Sequence, residues 1–106
     1  MNIDKKIIHL SLAEVKRNLD PALSYMVFER DMCLKEAIDF SEVIEALSRL
    51  RRGELEWELY SDELSGKDFL VVKVEPGQDK LIMDEIIDTG LPEDLTCFLY
   101  RGGTRV

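Results

Sequence analysis

Histidine is almost absent from this sequence. His9 stands alone, and a zinc site needs three or four ligands. Nucleophilic catalysis through a histidine also needs a positioned nucleophile and a third, orienting group. Cysteine is scarce too: Cys33 and Cys97 lie far apart in the chain and cannot make a disulfide scaffold. Their apolar neighbours, Met32 and Leu34, Phe98 and Leu99, predict buried free thiols in a reducing cytosol. No apolar run is long enough to cross a bilayer. The first twelve residues, MNIDKKIIHLSL, lack the apolar core and small-residue cleavage site of a signal peptide. The expected location is cytoplasmic. A phosphate-cradling glycine loop is also missing, because Gly102-Gly103 leads into no helix start. No feature calls for a metal or another cofactor.

Basic charge is in deficit. The chain carries 14 Lys and Arg against 22 Asp and Glu, a net of −8. Nonspecific contact with DNA or an anionic membrane requires the opposite sign. The excess is local: residues 54–94 hold three basic and thirteen acidic residues, whereas residues 1–53 hold nine of each. Such asymmetry hints at an interaction surface. Acidic surfaces also simply keep small proteins soluble.

With 106 residues, 45% of them apolar, the chain has the size of one globular domain. The expected bounds are 1–101, followed by a flexible tail over 102–106. Ile8, Leu10 and Leu12 alternate with polar residues, predicting a short strand over 5–10. The capping box Ser11-Leu-Ala-Glu14 starts a helix over 12–19. A single helix over 4–19 is the alternative for this stretch. Asp20-Pro21 is a helix-start signal, and the apolar spacing beyond it predicts a helix over 21–37. The run Tyr25-Met-Val-Phe28 also suits a buried strand. Asp39 or Ser41 caps a helix over 42–52, striped by Val43, Ile44, Leu47 and Leu50, with Gly53 at its end.

From there the apolar period changes to two. Leu55, Trp57 and Leu59 alternate with Glu54, Glu56 and Glu58, predicting a half-buried strand with an acidic outer face. A tight end at Ser65-Gly66 joins it to a second strand over 69–75 as an antiparallel hairpin. Pro76-Gly77 breaks that strand. A helix over 79–89, capped by Asp79 and closed by Gly90, precedes a strand over 96–100. The fold class is thus α+β: a two-layer domain with a three- or four-stranded, mostly antiparallel sheet. Its four-stranded version has the ferredoxin-like order βαββαβ with extra N-terminal helices. That topology hosts many functions and names none.

The best functional candidate is the acidic ladder Glu54, Glu56 and Glu58, extended by Glu75. Carboxylates about 6.8 Å apart on one strand face make a line of negative potential. Such a line suits a basic protein surface and raises association rates more than affinity. An ordinary strand face protected by charge from edge aggregation carries the same pattern. The leading expectation is a non-catalytic regulator or adaptor, a homodimer, that meets a basic partner there. A second reading is a small enzyme or enzyme subunit with a dimer-interface site using Cys97, Tyr100 or His9. A third is RNA binding by Arg49, Arg51 and Arg52, with Tyr60 and Tyr100 as outer-face aromatics. The glutamate ladder opposes that reading, so nucleic acid is not the expected partner. The carboxylate pairs Asp62-Glu63, Asp84-Glu85 and Glu93-Asp94 do not fit an EF-hand spacing.

Overall fold

The computed structural model describes residues 6–50 and 55–106. They form ten elements: β1 (Ile7–Ile8), α1 (Leu12–Arg17), β2 (Ser24–Glu29), α2 (Arg30–Lys35), α3 (Phe40–Arg49), β3 (Glu56–Asp62), β4 (Lys67–Val74), α4 (Asp79–Asp88), β5 (Phe98–Arg101) and β6 (Thr104–Arg105). The class is α+β, as the periodicity implies. The sheet is larger than expected, with six strands in the order β1-β3-β4-β2-β5-β6. Only β1 runs parallel to its neighbour, pairing Ile7 with Leu59 and Ile8 with Tyr60. Every other pairing is antiparallel.

The largest departure from the sequence reading lies at 21–37. The expected helix is a strand, β2, followed by the short α2. Ser24 through Phe28 are all buried, because β2 lies inside the sheet with β4 on one side and β5 on the other. A strand covered on both faces has no polar alternation to betray its period. The Asp20-Pro21 signal caps a turn instead: Ala22 N–H donates to Asp20 Oδ1 at 2.9 Å, and Asp20 N–H donates to the Tyr25 hydroxyl oxygen at 3.0 Å.

Other local signals act as the sequence predicts. The Ser11 and Glu14 capping box is formed at the start of α1. Asp39 caps α3 by accepting from the N–H and hydroxyl of Ser41 at 3.0 and 2.8 Å. Gly66 makes the β3–β4 turn at φ +70°, and Gly90 follows α4 at φ +115°. Asp79 is the first helical residue of α4, one place after its cap. The C-terminal signal at Gly53 lies outside the described residues. The strand expected over 5–10 shrinks to the two residues of β1. Beyond β5, the chain turns at Gly102 and places Thr104–Arg105 beside Tyr100 and Arg101.

Both faces of the sheet carry a core. Helices α2, α3 and α4 cover the face bearing Met26, Phe28, Trp57, Leu70 and Val72, and Val43, Leu47, Ile82 and Ile86 pack onto it. On the opposite face, Val15 of α1 meets Tyr25, Val27, Phe69, Val71 and Tyr100. Tyr100, a candidate for an outer face, is therefore 3% exposed. Trp57 is buried as expected, and Phe98 is half-buried. The turn after β5 fits closely against the α1 side. A Cβ on Gly103 would stand 2.6 Å from the Lys16 carbonyl oxygen, and one on Gly102 would stand 2.8 Å from Pro21 Cα.

Candidate functional site

Glu56 and Glu58 of the acidic ladder sit on strand β3, which buries Trp57 and half-buries the residues that follow it to Asp62. Trp57 and Leu59 point to the α3 side, so Glu56 and Glu58 alternate onto the other. That other face is covered by α1 near Tyr60, Phe69 and Val71. Glu56 lies beyond that cover and is exposed, whereas Glu58, opposite Val71, is half-buried. Lys73 is the register partner of Glu56, and its Nζ stands 3.5 Å from Glu56 Oε2. Exposed pairs of this kind are worth little. Glu75 follows the end of β4 and is exposed. Glu54 lies outside the described residues. Burial, then the Glu58 and Tyr25 groups, raises the pKa of the Tyr60 phenol. Its ring stacks on Phe69 with centroids 5.2 Å apart.

Of the arginine cluster, Arg49 is among the described residues and pairs with Glu45 one helical turn back. Arg51 and Arg52 lie outside the described residues. His9 places its Nδ1 3.2 Å from Glu63 Oε1, with both side chains largely in water. Both cysteines are free. Burial pushes the Cys33 thiol up to about 11, aided by the nearby Glu36 charge. It pushes the Cys97 thiol up to about 12. Neither supplies thiolate near neutral pH. Tyr100 lies in the core under α1, Cys97 packs against the core on the opposite face, and His9 is exposed. No group of three or more potential metal ligands occurs among the described residues, and no described helix is long and apolar enough to cross a membrane.

The chain also builds a cleft that no sequence signal announces. It has a volume of about 300 Å³ and lies between β1, β3 and the start of α3. Ile7, Phe40, Ile44 and Leu59 give it apolar walls, and Arg30, Asp39, Ser41, Ser61 and Asp68 bring polar groups to it. Asp68 fixes two of those groups. It accepts from Arg30 Nη1 at 3.0 Å through Oδ2 and from the Ser61 hydroxyl at 2.7 Å through Oδ1. Hydrogen bonds from the Ser41 hydroxyl and N–H, with help from the Arg30 charge, hold the Asp39 carboxyl below its ordinary range. Asp39 was legible in the sequence as a helix cap. Arg30, Ser61 and Asp68 come from three separate elements and share no spacing.

Comparison with known protein families, curated proteins and solved structures yields no match. The physical arrangement of the site is therefore the basis for a functional reading.

Proposed function

We propose that this protein is a non-catalytic cytosolic interaction module that receives a basic protein surface at Glu56, Glu58 and Glu75, on and beside β3 and β4, together with Glu54, which the sequence alternation adds. Its scaffold, in this reading, is ferredoxin-like. The string β2, α2–α3, β3, β4, α4, β5 has the βαββαβ order, and its strands lie second-third-first-fourth across the sheet. The first strand of that order is β2, not the segment at 5–10.

The observation that carries the proposal is the position of Glu56 and Glu75. Glu56 is exposed where α1 leaves the sheet face uncovered, half-buried Glu58 stands at the margin of that cover, and Glu75 is exposed just past the end of β4. Lys73 neutralises part of this charge, so the surface is suited to steering a partner more than to tight binding by charge alone. The rival readings have less support. Both thiols are shifted away from reactivity. None of the eight aromatic residues is exposed, and RNA-binding sheets need aromatics open to bases.

The test is capture from native lysate by the wild-type protein and by the Glu56→Lys, Glu58→Lys, Glu75→Lys variant, with mass spectrometry of the retained proteins. The reading expects a basic protein that the wild type retains and the variant loses. Raised salt should weaken its capture by the wild type. Identical retained sets at both salt concentrations contradict it.

A further inference from the structure

We infer that the cleft between β1, β3 and the start of α3 binds a zwitterionic α-amino acid with an apolar side chain. Size sets the first limit. At about 300 Å³ the cleft stands at the bottom of the range for small-molecule pockets, roughly 300–1,000 Å³. A single amino acid fits that space, and a nucleotide-sized cofactor does not.

Wall chemistry sets the second limit. Phe40 and Ile44, each 7% exposed, belong to the core behind the cleft, while Ile7, 45% exposed, and half-buried Leu59 leave apolar surface open in it. That surface offers an apolar contact to an aliphatic or aromatic body.

Charge sets the third. Arg30 stands with Asp68 on one side and within electrostatic reach of Asp39. A simple anion would meet two carboxylates, and a simple cation would meet the guanidinium. A ligand carrying both charges finds a partner for each. The necessary groups are available. Arg30 uses one N–H group on Asp68, and its others make no hydrogen bond among the described residues. They can take a carboxylate by charge-assisted bonds. Among the described residues Asp39 accepts from Ser41 through Oδ1, leaving Oδ2 for an ammonium. Asp68 biases the position of Arg30 through one hydrogen bond at 3.0 Å, an exposed contact that orders the guanidinium only in part.

Titration of the whole protein with L-leucine and L-phenylalanine, followed by amide NMR, tests this directly. The expected result is saturable shifts at Phe40, Ile44 and Leu59. N-acetyl-L-leucine, lacking the ammonium, and L-leucinamide, lacking the carboxylate, should each bind about tenfold more weakly. Arg30→Gln and Asp39→Asn should show the same loss for L-leucine. Asparagine preserves the α3 cap, and a melting curve checks that each variant folds. The inference is overturned by any of three results. These are no saturable shift up to about 10 mM ligand, the blocked analogues binding as tightly as L-leucine, or adenine binding more tightly than either amino acid. The analogue comparison uses the unaltered protein, so it decides the matter even if a variant unfolds.

Discussion

The two faces of the sheet differ in what covers them. The face under α2, α3 and α4 belongs to a cluster of 17 buried residues. The face under α1 belongs to a cluster of six. Helix α1 has six residues, whereas α3 and α4 have ten each. It cannot span the sheet, so past Tyr60, Phe69 and Val71 the same face ends in Glu58 and Glu56 on β3 and in Lys73 on β4. The acidic surface is thus a consequence of incomplete cover. Charge gathers where the smaller layer stops, and the proposed partner would meet it there.

Substitutions can break this comparison in order of size. Phe28→Ala, at a side chain with no exposure in the larger core, should cost about 3–5 kcal/mol in denaturant unfolding. Val15→Ala on the α1 side should cost clearly less, about 1–3 kcal/mol. Equal losses would show that the two layers are energetically alike. Cys33 and Cys97 both pack in or against the larger core, and their thiols are raised to about 11 and about 12. Alkylation of the native protein at pH 8 should therefore be about 100-fold slower than in denaturant. The rate should climb as pH rises toward 11. Because the folded state favours the protonated thiols, their contribution to stability is complete below about pH 9 and declines above it. Equal labelling of native and denatured protein would mean that the larger core opens readily.

Gly103→Ala strikes the joint between the layers, since its new Cβ would meet the Lys16 carbonyl oxygen at 2.6 Å. Two backbones cannot yield as a flexible side chain would, so a loss of about 2 kcal/mol is expected, with early exchange of α1 amides. Ala37→Gly should act in the other direction. Ala37 holds φ +57° between α2 and α3, and glycine adopts that conformation freely. Relief of strain, less the added chain entropy, should stabilise the protein by about 0.5 kcal/mol in thermal melts. A loss instead would show that the alanine methyl is needed where it packs.

The same contrast governs what could be read from the chain. Strand β3 was legible because one face is buried and the other carries glutamates, so Leu55, Trp57 and Leu59 alternate visibly. Helices α3 and α4 were legible from amphipathic stripes and end signals such as Asp39 and Gly90. Strand β2 was not, because burial on both faces removes the polar positions that separate a period of 2 from one of 3.6. The two-residue strands β1 and β6 are too short to show any period. The acidic face could be proposed from three adjacent alternations. The cleft could not, because the Arg30, Ser61 and Asp68 cluster exists only after β3 and β4 pair and α2 begins beside them.

The most direct measurement of the central claim is the differential capture experiment with the wild type and the Glu56, Glu58 and Glu75 charge-reversed variant. The account predicts a basic protein held by the wild type, released by added salt and absent from the variant. A variant that melts like the wild type yet retains the same partners at every salt concentration would contradict it.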